Sequence, residues 1–151
     1  MKELKLKNYT TQIGASRTIM EIEKLLSMFG AQAVMKEYAG DGTVRSLAFR
    51  LNEKTYKLPA NVDGVKAVMF DKMKVSKRVD VIRNRDKQAY NTAWRIIKDW
   101  IYTQLSLIVS GQAQPDEIML PFLFDGKRTL YQSYKEGRIQ IEDKRIIEED
   151  G

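Results

Sequence analysis

Behind a short polar lead-in, apolar residues fall at helical spacing: Ile19, Ile22, Leu25, Leu26 and Phe29 line one face of a helix expected to begin near Ser16. Thr18 and Glu21 fit a capping box, and Gly30 suits the left-handed residue that closes a helix. Residues 4–9 of the lead-in are expected to form a short edge strand. The period then drops to two. Leu47, Phe49 and Leu51 alternate with Ser46, Ala48 and Arg50, and Tyr56 and Leu58 continue the alternation. With a strand over 33–38, turns at Gly40-Asp41-Gly42 and Asn52-Glu53, and a stop at Pro59, this predicts a three-stranded antiparallel meander behind the first helix.

The helical period returns twice. A second helix is expected over 62–73, capped by Asn61, with Val65, Val68, Met69 and Met73 as its buried stripe. A long helix is expected over 88–110, with Ala93, Ile96, Ile97, Trp100, Ile101, Leu105 and Ile108 inward and Gly111 at its end. Trp100 is the expected core anchor, and Trp94 lies at the boundary of the apolar face. Asn91, Arg95, Lys98 and Tyr102 recur every three or four residues on the opposite face. Between the two helices, residues 72–87 read as poor in structure apart from a short strand suggested by Val75, Val79, Val81 and Ile82. Beyond Gly111, Pro115-Asp116-Glu117 starts another helix, and the apolar run 118–124 is expected to dock on the core or to pair two copies. The fold class is therefore α+β: an N-terminal helix with a three-stranded antiparallel meander, then a second helix and a long amphipathic helix packed on the sheet. Residues 1–139 form one domain and residues 140–151 an acidic tail.

Charge sharpens this picture. The chain carries +6 at pH 7, with five acids against two bases in the tail, so residues 1–139 hold +9. Such a balance favours polyanions: nucleic acid, nucleotides, acidic proteins or a membrane surface. The densest cations, Lys77, Arg78, Arg83, Arg85 and Lys87, precede the polar face of Asn91, Arg95, Lys98 and Tyr102. Lys127 and Arg128 interleave with Tyr131 and Tyr134 further on. Together these are the candidate anion- or nucleic-acid-binding residues: phosphate is held by guanidinium and ammonium groups, and bases stack on aromatic rings. The alternative is that these cations only solvate a surface.

There is no histidine and no cysteine, which removes the commonest general base, thiol nucleophiles and the usual transition-metal ligands. No acidic calcium loop, phosphate-binding glycine loop, dinucleotide fingerprint or catalytic triad is present. The expectation is a protein that is not an enzyme, needs no cofactor or metal, crosses no membrane and works in the cytoplasm.

Asn8-Tyr9-Thr10-Thr11, the helix from Ser16 to Ile22, and Ala93-Trp94-Arg95-Ile96-Ile97-Lys98-Asp99-Trp100 together resemble a family of small phage and mobile-element proteins. Leu58-Pro59, Met119-Leu120-Pro121-Phe122 and Thr129-Leu130-Tyr131 follow the same order, so the resemblance spans roughly residues 8–135. It brings no catalytic or ligand-binding residue with it. It does imply a setting, the cytoplasm of a phage host. There a non-enzymatic protein of this kind is expected to inhibit a host defence protein or ribonucleoprotein, such as a nucleic-acid-guided nuclease, or to sequester a nucleotide signal. The alternative is a DNA- or RNA-binding accessory of phage replication, recombination or transcription.

Overall fold

A computed structural model describes residues 4–142. In chain order these form α1 (Ala15–Met28), β1 (Ala33–Tyr38), β2 (Val44–Leu51), β3 (Lys54–Pro59), α2 (Val62–Phe70), α3 (Val79–Val109), α4 (Pro115–Met119), a 3-10 turn over Leu120–Phe122, and α5 (Leu130–Lys135). The architecture is the expected α+β one: α1, a three-stranded antiparallel sheet, then α2 and the long α3. Of the acidic tail, residues 143–151 lie outside the described residues.

The meander follows from its alternation. β2 is central, pairing Val34 with Phe49 on one side and Tyr56 with Phe49 on the other. Leu47, Phe49, Leu51, Tyr56 and Leu58 are buried in a single cluster with Ile19, Ile22 and Leu26 of α1, Trp94, Ile101 and Leu105 of α3, and Met119 of α4. Asn52 and Glu53 both have positive φ, 51° and 65°, as a two-residue hairpin turn requires. Between β1 and β2 the register slips at Glu37/Tyr38, leaving Arg45 without a partner on β1.

α3 pins the backbone beside this bulge. Val44 donates its N–H to the Tyr90 hydroxyl at 2.9 Å, and its carbonyl accepts the Trp94 indole N–H at 3.0 Å. Tyr90 and Trp94 are one helical turn apart, so a single face of α3 grips a single residue of the sheet.

Four expectations change here. Residues 4–9 form no strand. They run as extended chain into a turn, with Asn8 at φ 65°, and are strapped to α3: Thr92 donates to the Asn8 carbonyl, Gln88 to the Tyr9 and Thr11 carbonyls, and the Asn8 amide to Asp99 at 2.9 Å. The Thr18–Glu21 capping box is not made either. Gly14 is the N-cap of α1, and the orphan N–H of Ala15 is satisfied by Asn91 Oδ1 at 2.9 Å from α3. Thr18 is buried, its hydroxyl donating to the Gly14 carbonyl, while Glu21 pairs with Arg95. Gly30 does close α1 as expected, with Ala31 N–H on the Leu26 carbonyl and Gly30 N–H on that of Ser27; Gly111 closes α3 in the same way.

α3 also begins nine residues before its expected start. Residues 79–87 are helical, and only 71–78 connect α2 to α3. Finally, the tryptophans exchange places. Trp94 is fully buried, whereas Trp100 is half-buried and meets Phe122 edge-on at 5.4 Å. The apolar stripe of the sequence is set by the C-terminal half of α3. Near Trp94 the helix is enclosed by α1, the sheet and the strap together, so Ala89 and Asn91 through Trp94 are all buried.

Candidate functional site

The expected clasp of Asn91, Arg95, Lys98 and Tyr102 does share one face of α3, but the fold uses most of it internally. Asn91 is only 7% exposed and holds the start of α1. Arg95 Nη1 lies 2.6 Å from Glu21 Oε2, with the guanidinium largely covered. Lys98 sits over the Tyr102 ring at 5.5 Å and 4.0 Å from Asp99. Of the four, Tyr102 alone is exposed. Asp99 in turn takes the Asn8 amide and lies 3.4 Å from Lys7. Partial burial pushes its carboxyl up, yet the Asn8 hydrogen bond and the Lys7 and Lys98 charges together hold it below the usual aspartate value.

Near the chain's other end, Lys127 is exposed in a turn organised by Asp125, whose carboxylate accepts the Lys127 and Arg128 N–H groups, both at 2.8 Å. Those two bonds lower the Asp125 carboxyl. Arg128 pairs with Glu136 at 2.7 Å.

The remaining candidates gather where α2, the 71–78 connection and the start of α3 meet. Two clefts open there. The larger, about 910 Å³, lies between the β1–β2 turn, the first turn of α2 and the first three turns of α3. Val79, Ile82, Arg83, Asp86, Lys87 and Tyr90 reach it from α3. Their spacing of three, one, three, one and three is one stripe of a helix. Arg45, displaced by the bulge, and Lys66 add two more cations, although Lys66 is bound to Asp86 and Arg45 to Glu37. Asp41 is occupied by the Thr43 hydroxyl and N–H, which lower its carboxyl. Among the described residues, no acid lies within salt-bridge distance of Arg83 or Lys87.

The smaller cleft, about 510 Å³, lies between α2 and α3, with Ala67, Phe70, Met73, Val75 and Ile82 along it. Arg85 rests its guanidinium 5.6 Å from the Phe70 ring centre and donates to the Lys74 carbonyl at 3.1 Å, so it ties the connection to both helices. Lys77 is exposed on that connection, and Arg78, the N-cap of α3, holds Asp80 through two hydrogen bonds.

Here the expected buried stripe of α2 fails. The helix ends at Phe70, not Met73, and although six of its nine residues are apolar, none is buried. Val68 is 69% exposed and Val75 88%, with Met73, Val79 and Ile82 also exposed beside them. Asp86 escapes a reading of 79–87 as non-helical, and so does the alignment of Tyr90 with it, while Arg45 and Lys66 arrive from other elements. Reading that stretch as helix would have placed Arg83, Asp86, Lys87 and Tyr90 together; nothing local foretold the arrival of Arg45 and Lys66.

Among the described residues, no three acidic side chains converge as metal ligands, and no helix is long and apolar enough to cross a membrane. No family model, curated protein or solved structure matches the chain.

Proposed function

We propose that this is a non-enzymatic, phage-type binding protein that inhibits a host defence protein by docking on it, and that α2 with the start of α3 is the docking element. The observation that supports this is the unspent apolar surface: a helix two-thirds apolar with no buried residue, continued by Met73, Val75, Val79 and Ile82. Soluble chains seldom leave contiguous apolar patches open unless they cover them with a partner. Lys72, Lys74, Lys77 and Arg78 flank the patch, so the partner surface that fits it is apolar at the centre and acidic at the rim. The phage and counter-defence setting rests on the sequence resemblance. The absence of histidine and cysteine supports binding over catalysis.

The nucleic-acid alternative draws its support from Arg83 and Lys87. Asp63, Asp71, Asp80 and Asp86 weigh against it, because they interrupt the cations of the arm, and a surface that tracks phosphates is more one-sided. The test compares the wild type with a Val68→Glu/Val75→Glu double variant, each recovered from the host cell. A stoichiometric protein partner is expected to co-purify with the wild type and to be lost from the variant, with thermal stability unchanged since both side chains are exposed. Recovery of nucleic acid alone, released steeply by salt and indifferent to the double variant, would transfer the assignment to the alternative.

A further inference from the structure

We infer that the larger cleft is a site for a small organic phosphate, a ligand of nucleotide chemistry; Val79 and Ile82 border both it and the apolar docking surface, whereas Val68 and Val75 of that surface do not line it. Arg83, Lys87 and Tyr90 stand on consecutive turns of α3 and face the same space. Arg83 and Lys87 have no acidic partner among the described residues, and like charges one turn apart repel when nothing lies between them. Three aspartates line the cleft: Asp86 is engaged with Lys66 and Asp41 with Thr43, and Asp63, on the first turn of α2, lies outside salt-bridge distance of Arg83 and Lys87. The Tyr90 oxygen accepts the Val44 N–H, and its own proton has no protein acceptor among the described residues. A guanidinium, an ammonium and a hydroxyl donor therefore converge on one volume, the donor set that a phosphate's three oxygens accept. Val44, Val62 and Val79 supply an apolar wall for the rest of the ligand. At about 910 Å³ the cleft lies in the size range of small-molecule sites. The anchoring of Val44 by Tyr90 and Trp94 fixes the cleft's sheet side against its helix side, so the Tyr90 hydroxyl is held in place before the ligand arrives.

Isothermal titration calorimetry with inorganic pyrophosphate and with adenosine triphosphate tests this on the full chain. Saturable one-to-one binding is expected for the nucleotide, tighter than for pyrophosphate because of the apolar wall, and weaker at higher salt. Arg83→Gln/Lys87→Gln should weaken it about ten-fold or more, Arg83→Lys should retain most of it, and Val68→Glu/Val75→Glu should leave it unchanged. Both altered cations are exposed or face open space, so circular dichroism should show the variants folded. Absence of saturable binding by either probe, or binding indifferent to the Arg83/Lys87 double variant, overturns the inference. Loss on Val68→Glu/Val75→Glu would likewise overturn it as a separate site. The protein-docking reading stands or falls on co-purification alone.

Discussion

Two tryptophans six positions apart differ in what they hold. Trp94 fills the centre of the core and donates a hydrogen bond to the Val44 carbonyl beside the β2 bulge. Trp94→Phe removes part of that volume and the buried indole hydrogen bond, so it is expected to destabilise the fold by roughly 2–4 kcal/mol. Trp100→Phe keeps an aromatic edge against Phe122 at a half-buried position and should cost less than roughly 1.5 kcal/mol. Urea unfolding of the two variants measures the difference, and equal losses would refute the assignment of Trp94 as anchor. Periodicity alone could not rank the pair. Both lie within reach of an apolar face, and the decision came from which sides of α3 the sheet, α1 and the strap happen to cover.

At the scale of elements, the alternation of β2 and β3 and the helical face of α1 were legible because each buries one side against the rest of the chain. The start of α3 was not. Its first turns carry Arg83, Arg85 and Lys87 and bury nothing before Ala89, so they lack the apolar contrast by which a helix is read. What continues the helix there is propagation from the buried segment, α2 alongside, and Asp80 in the first turn. The Asn52-Glu53 turn shows the opposite case, a conformation imposed on a residue that does not favour it. Glu53 sits at φ 65°, where a side chain crowds its own backbone. Glu53→Gly should therefore stabilise the protein by about 0.5–1 kcal/mol, after the greater chain entropy of glycine is set against the relieved strain. That corresponds to a rise of about 1–4 °C in a thermal melt. A lower melting temperature would show that Glu53 makes a compensating contact.

Across the whole molecule, segments far apart in sequence close the structure. Asp99 receives the Asn8 amide and the Lys7 charge, and its carboxyl is held below the ordinary aspartate value of 3.8. A depressed carboxyl contributes stability that is fully present above its unfolded value. That stability is lost as pH falls through the lower, folded value. Asp99→Asn should thus destabilise the protein at neutral pH and differ progressively less from the wild type below about pH 4. Urea midpoints at pH 7 and pH 3 measure this, and a constant gap between the two proteins would remove Asp99 from the acid-sensitive set. The same contact joins two of the segments that carried the family resemblance: the Asn8-Tyr9-Thr10-Thr11 lead-in lies along Gln88, Thr92 and Asp99 of the tryptophan-bearing helix.

The sequence by itself determined the α+β class, the meander, the end of α1 at Gly30 and the want of histidine and thiol chemistry. Those depend on local period, turn residues and composition, which need no knowledge of what lies opposite. Only the tertiary structure decided which polar residues are spent. Asn91 and Arg95 are indistinguishable from ligand-binding groups in a linear reading, and they become structural because α1 brings the Ala15 N–H and Glu21 to them. Arg83 and Lys87 read equally well as phosphate-binding or as solvated charge, and they stand out because no acid among the described residues pairs with them, Asp86 and Asp41 being taken by Lys66 and Thr43. A hydrogen-bonding group has a fixed capacity, and which partner takes it up is a property of three-dimensional neighbours.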